Sequence, residues 1–237
     1  NTTAAQERTA LQNFSARAQF LGGPIVETII DFLIMIAGTT DLQTAFGRGN
    51  CSGYDESQAP TYGVKQNAVV GGGQFYGTDD GKSLNKIFHS IVLGSYQQWM
   101  RDPYEVVVNG RVKVSKNYTY DLTGAAYSDT GINVPNNATW DSNHNVRQYP
   151  MEYRTVPGYG AVPAGDMNGG STATGGCDIL YRKDPTQTFT GVALRFGSCN
   201  YGLSAGQRAR SWNAAASLAN WHLSAADLLL PPVGVAA

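Results

Sequence analysis

Apolar positions recur at helical intervals only near the N-terminus, and the pattern then gives way to short alternating runs. Residues 4–20 space Ala4, Leu11, Phe14, Ala18 and Phe20 loosely in this way, which predicts an amphipathic helix. Gly22-Gly23-Pro24 breaks it, with Pro24 where a first helical turn tolerates proline. Residues 25–38 are the most apolar stretch and predict a buried core helix, on which Glu27 and Asp31 leave one narrow polar stripe. It falls well short of the roughly 20 residues that cross a bilayer, and Gly38 supplies its stop.

From Thr39 to Gly81 the chain reads as glycine-punctuated loops and short strands. Residues 84–93 fit a strand or a short helix, with Tyr96 and Trp99 as core anchors just beyond. Tyr104–Val108 and Arg111–Val114 flank Asn109-Gly110, which predicts a hairpin with a tight two-residue turn. Residues 117–176 are turn-rich, and strands are expected at about 177–182, 189–196 and 221–227. No internal repeat or charged linker appears, so the fold class is a continuous α+β domain with a helical N-terminal part.

Composition narrows the function classes. Charged residues make up 15% of the 237, the net charge is −1, and no basic run occurs, which argues against nucleic acid or an acidic membrane as partner. Cys51, Cys177 and Cys199 are far apart and show no metal-ligand spacing; a Cys177–Cys199 bridge is conceivable, but buried free thiols are expected. His89, His144 and His222 are equally scattered, so no metal or cofactor is expected. The triplet Gly71-Gly72-Gly73 does not make a phosphate loop, because no Gly-Lys-Ser/Thr closes it. Gly81-Lys82-Ser83 has Tyr76 where the first glycine belongs. The chain starts at Asn1 without methionine, which implies that something upstream has been removed or left out.

The run 193–226 is unusual in its vocabulary. Asn200, Tyr201, Arg208, Arg210, Trp212, Asn213, Asn220, Trp221 and His222 are interleaved with glycine, alanine and serine. Aromatic residues offer large contact area at low entropic cost, and Ser, Asn and Gly offer adaptable hydrogen bonding. This is the make-up of a recognition surface.

Four elements carry a family resemblance in order along the chain. They are Gly38–Gly47, then Lys86-Ile87-Phe88 with Gln98-Trp99, then Gly169–Asp178. The fourth is the closing series Leu194-Arg195-Phe196-Gly197, Asn200-Tyr201-Gly202, Ala205-Gly206, Ser217 and Asn220-Trp221. Together these resemble the variable proteins of diversity-generating retroelements, built on the C-type lectin fold of formylglycine-generating-enzyme-like proteins, and phage tail proteins of gut origin. The resemblance implies an N-terminal helix at 1–22 for fibre or protomer contacts and a lectin-type body at 23–237 with a variable face at 198–222.

The positions matching that face are Ser198, Asn200, Tyr201, Ser204, Arg210, Ser211, Asn213, Leu218, Asn220 and His222, all reachable from an asparagine codon by changing its first two bases. Trp212 is not reachable that way and reads as a fixed packing residue or as a contact of other origin. Arg208 joins the candidate contacts, and Trp221 matches a fixed core position. Departures occur at Phe196, at Cys199 and at Ser224–Ala226.

A binding protein is therefore expected. The oxidases of the same fold need a reactive cysteine pair, and Cys177 and Cys199 do not sit in such a motif. Asp166, Asp178, Asp184 and Asp227 stay available for a glycosidase pair or calcium, and no GxSxG nucleophile elbow is present. The implied setting is a homotrimer at a phage tail tip, attached to an upstream tail-fibre or virion protein and binding a bacterial surface protein or glycan without inserting in a membrane. A bacterial cell-surface protein and a purely structural virion subunit are the alternatives.

Overall fold

A computed structural model describes residues 1–46, 99–198, 201–220 and 223–229, and the backbone of five two-residue strands between 49 and 96. The chain is a mixed α+β fold with few helices and a curled, half-barrel sheet. Helix α1 spans Ala4–Phe14, strand β1 Ala18–Phe20, helix α2 Gly23–Ala37 and helix α3 Leu42–Phe46. The two-residue strands β2 to β6 follow at Gly49–Asn50, Phe75–Tyr76, Lys86–Ile87, Ile91–Val92 and Ser95–Tyr96. Next come β7 (Trp99–Val108), β8 (Arg111–Val114), β9 (Ser128–Asn133), β10 (Asn145–Gln148), β11 (Glu152–Val156) and β12 (Gly160–Ala164). The chain closes with β13 (Leu180–Lys183), β14 (Thr190–Arg195), β15 (Arg210–Ser211), β16 (Leu223–Ser224) and β17 (Asp227–Leu229).

The main sheet orders β10, β13, β15, β14, β7, β8 and β9 side by side, with β16 parallel to the start of β7. The expected hairpin supplies two adjacent strands of it, β7 and β8. Asn109 and Gly110 both take positive φ, 47° and 76°, as a tight turn matched to strand twist requires. Strand β1 pairs antiparallel with β17, which joins the segment after α1 to the last described strand.

Three expectations change. The first helix stops at Phe14, because Ser15 turns extended while its amide caps the Leu11 carbonyl. Ala18–Phe20 then alternates as a strand against β17, burying Ala18 and Phe20. Helix α2 runs to the predicted stop, Gly38 at φ 66°, but it is not buried all round: Phe32, Met35 and Ile36 are at least half exposed. The polar stripe splits too, since Asp31 faces outward while Glu27 is completely buried. Finally, the turn-rich span 117–176 holds β9 to β12; β9 and β11 are mostly exposed and β12 is buried almost throughout, so none of these gives a burial alternation to read.

Strand β7 lies between β14 and β8 with almost every residue buried, although it contains Arg101, Asp102 and Glu105. On a regular strand Asp102 and Glu105, an odd number of residues apart, would point to opposite faces. The ladder with β14 shifts here: Val192 pairs with Val106 but Ala193 pairs with Asp102. Pro103, which has no amide to donate, falls within the skipped residues. The irregularity re-aims the strand so that both acids reach one guanidinium, that of Arg195 on β14.

Arg195 is the centre of a buried charge cluster. Its Nε donates to Asp102 at 2.9 Å, and its Nη2 donates to Glu105 at 3.1 Å and the Tyr159 hydroxyl at 2.8 Å. Nη1 pairs with Glu27 of α2, and Arg210 of β15 also pairs with Glu27 and donates to the Ala161 carbonyl at 2.7 Å. The Trp212 indole N–H donates to Glu105. Asp102 further accepts the Gly23 amide, at 3.1 and 3.0 Å, and so sits at the positive end of α2. Burial pushes Asp102 above the usual carboxylate range, with Arg195 opposing. Burial alone would raise Glu105 as well, but Arg210 and Arg195 outweigh it and hold Glu105 below that range.

A second buried pair docks α1. Arg101 Nε donates to Glu7 at 2.7 Å, and its Nη2 reaches the carbonyls of Thr2 and Leu218 at 3.3 and 3.1 Å. Apolar clusters fill the space around these charges, one under α2 (Val26, Ile30, Leu33, Phe46) and one between β8 and β12 (Val112, Val114, Val162).

Removing one partner from a buried ion cluster leaves the others uncompensated, which costs about 3–5 kcal/mol. We expect Arg195→Ala to lose about that much in urea unfolding. Arg111→Ala, which breaks the exposed Arg111–Asp129 pair, should lose less than about 1 kcal/mol. Similar small losses in both variants would contradict the role assigned to the cluster.

Candidate ligand-binding face

The closing run divides into a floor and a face. Arg210 and Trp212 belong to the charge cluster. Arg208 lies over the Tyr153 ring at 4.2 Å and its amide donates to Asp178 at 2.7 Å. Ser198 and Ser211 are buried with them. These five were expected to contact ligand; the structure places Ser198, Arg208, Arg210, Ser211 and Trp212 among the buried residues. For Arg208, Arg210 and Trp212 the physical reason is pairing with buried carboxylates, since Asp178, Glu27 and Glu105 are their acceptors, whereas the Ser211 hydroxyl donates to Asn213. For Trp212 the packing reading holds.

Asn200, His222 and Trp221 lie outside the described residues, as do Cys51, Cys199, His89 and the Gly71–Gly73 triplet. Cys177 is a free, buried thiol, with Thr40 Oγ1 3.6 Å from its sulfur.

Tyr201, Ser204, Asn213, Leu218 and Asn220 do reach the surface, wholly or in part. Tyr201 stands edge-on to Trp99, with ring centroids 5.2 Å apart. The short 3-10 turn Gly202–Ser204 follows, and its Leu203 is 52% exposed. The turn is held from below by Gln43, whose Nε2 donates to the Leu203 carbonyl at 2.9 Å and to Asp178 at 2.7 Å. Ser204 shares a 2.9 Å hydrogen bond with the Tyr149 hydroxyl, and Asn213 donates to Asn145 at 3.3 Å. Leu218 is 39% exposed, while its carbonyl is fixed by Arg101. At Leu203 and Leu218 the backbone carbonyl is anchored and the side chain is presented, whereas Tyr201, Ser204 and Asn213 reach the surface while their side chains also contact Trp99, Tyr149 and Asn145.

Beside these residues a cleft of about 550 Å³ opens, lined by Thr139, Trp140, Asp141, Asn145, Val146, Arg147 and Tyr181. It adjoins the closing run through the Asn213–Asn145 bond. Tyr201 is close enough to sense it: burial, then the Tyr181 hydroxyl, push its phenol upward, and Arg147 pulls the other way. Sequence reasoning missed this wall and Leu203. Trp140, Arg147 and Tyr181 carry no motif, and only the β10–β13–β15 pairing brings them beside residue 213.

Of the acids that sequence left available, Asp178 is consumed by Gln43 and the Arg208 amide. Asp184 accepts from the Thr186 amide and hydroxyl, and Asp166 from Asn137 and the Asn168 amide. The side chain of Asp227 lies outside the described residues. Among the described residues no group of three or more His, Cys, Asp or Glu converges as a metal site.

Asp178 also ties the face to pH. Burial raises its carboxyl from 3.8 to about 7. A folded-state pKa above the unfolded one contributes stability that is complete below pH 3.8 and disappears as pH rises through about 7. The span corresponds to about 4 kcal/mol. We expect the chain to lose stability between about pH 4 and pH 7 in urea melts, and Asp178→Asn to lose much less over that interval. An identical pH slope in the variant would rule this out.

The chain matches no family model and no curated protein.

Proposed function

We propose that the chain is a ligand-recognition module of the C-type lectin type, a receptor-binding protein at a phage tail tip that displays a changeable face to a bacterial surface molecule. One observation carries this reading. The closing run brings Tyr201, Leu203, Ser204, Asn213 and Leu218 to the surface on a turn whose backbone is held by Gln43 at the Leu203 carbonyl, by Arg101 at the Leu218 carbonyl and by its own amides, and no buried ion pair depends on these side chains.

Binding is favoured over catalysis because the buried acids of the fold are spent on internal partners. Glu27, Asp102 and Glu105 serve Arg195 and Arg210, and Asp178 serves Gln43 and Arg208. Adaptable polar faces bind modestly one at a time, and a trimer of parallel copies would raise avidity about 100-fold or more. Helix α1, whose Phe14 is exposed, is the element we assign to contacts between protomers or with an upstream fibre. Among the described residues no helix is long and apolar enough to cross a membrane.

The test is adhesion of the labelled chain to host cells. Tyr201→Ala, Asn213→Ala and Leu218→Ala should each weaken binding about tenfold or more, equivalent to about 1.4 kcal/mol; Asn213→Ala and Leu218→Ala should leave the melting temperature materially unchanged, while Tyr201→Ala also loses its packing on Trp99. The control Arg154→Ala, on exposed β11, should bind as the parent does. Unaltered adhesion in all three face variants would defeat the proposal.

A further inference from the structure

The cleft beside Tyr201 has a one-sided chemistry. Its acid is oriented by the backbone, since Asp141 Oδ1 accepts the amides of Asn143 and Asn145, both at 2.8 Å. The Asn145 side-chain oxygen is taken by Asn213. Trp140 is held in place by the guanidinium of Arg182, 4.8 Å from its ring centroid. Arg182 is itself buried and fixed by Gln148, Asn137 and the Pro135 carbonyl.

What remains uncommitted is donor-rich. Among the described residues no hydrogen bond or ion pair takes up the Arg147 guanidinium, the Tyr181 hydroxyl or the Trp140 indole N–H. Arginine and indole groups only donate, and a tyrosine hydroxyl donates readily. The site therefore offers an exposed cation, two further donors and preorganised aromatic surface, and among the described residues the Asp141 carboxylate, turned to its own loop amides, forms no ion pair with Arg147.

Size selects the kind of ligand. A cleft of about 550 Å³ suits a small ligand or one terminal unit of a larger one. A protein epitope would instead need about 800 Å² on each side. We propose that this cleft binds a carboxylated sugar residue of a bacterial surface glycan. Arg147 takes the carboxylate in a forked pair. The rings of Trp140 and Tyr181 pack against the C–H face of the pyranose, and their polar tips donate to its hydroxyls. The inference rests on the receptor-binding reading and gives it a ligand class. Because Trp140, Arg147 and Tyr181 lie outside residues 198–222, the carboxylate subsite is constant, while Tyr201 and Asn213 set what is accepted next to it.

The experiment titrates the whole chain with D-glucuronate, D-glucose and glutarate by calorimetry or NMR shifts. Glucuronate should bind in the millimolar range, about tenfold or more tighter than glucose or glutarate. Arg147→Ala, an exposed position whose loss leaves the fold intact by circular dichroism, should erase the preference for glucuronate over glucose. Arg147→Lys should recover part of it. Three results overturn the assignment: equal affinity for glucose and glucuronate, glutarate binding as well as glucuronate (which would point to an acidic peptide), or no glucuronate binding at about 50 mM. Host-cell adhesion without glucuronate affinity overturns the cleft's ligand and leaves the receptor reading standing; glucuronate affinity without adhesion does the reverse.

Discussion

The guanidinium of Arg195 must be neutralised inside the protein, and much of the architecture follows from how that is done. Its three carboxylate partners come from α2 and from two points on β7, and Tyr159 closes the ring from the β11–β12 hairpin. A buried ion costs several kcal/mol unless paired and fully hydrogen-bonded, so these elements cannot separate without exposing an unpaired charge. With three carboxylates against the two guanidiniums of Arg195 and Arg210, one negative charge is in excess. Asp102 is the carboxyl that burial drives upward, and the Gly23 amide at the start of α2 helps hold it. The helix, the central strand and the closing run are thus fixed by one electrostatic condition.

That condition explains why the closing run divides as it does. Arg210 and Trp212 look like recognition residues in the sequence, and both are instead donors to the cluster. Before and beyond them, Gln43 and Arg101 hold the backbone at Leu203 and Leu218, Ser204 and Asn213 make only surface side-chain bonds to Tyr149 and Asn145, and no buried charge depends on the side chains of Tyr201, Ser204, Asn213 or Leu218. A surface meant to change needs this separation. Changes on the face alter what is bound, whereas changes in the floor alter whether the chain folds.

Much of the framework was legible because local chemistry determined it. Asn109-Gly110 between alternating strands and the apolar helix ending at Gly38 need no distant partner to be recognised. The end of α1 was missed because Ala18 and Phe20, spaced like a helix, take their structure from β17, more than 200 residues away. Glu27 gave no sign of burial, since its partners Arg195 and Arg210 are equally remote in sequence. The same holds for the site. The 198–222 run was visible by composition, but the Trp140–Arg147–Tyr181 wall exists only once β10 and β13 pair.

The central claim is that a charge-fixed floor carries a face free to vary, and single-codon randomisation of residues 198–220 measures it directly. Displayed variants would be sorted for protease-resistant folding and sequenced. The account predicts that substitutions at Arg210, Trp212 and Ser211 disappear from the folded pool, while Tyr201, Ser204, Asn213 and Leu218 accept most residue types. Free substitution at Arg210 and Trp212, or intolerance at the four face positions, would contradict it.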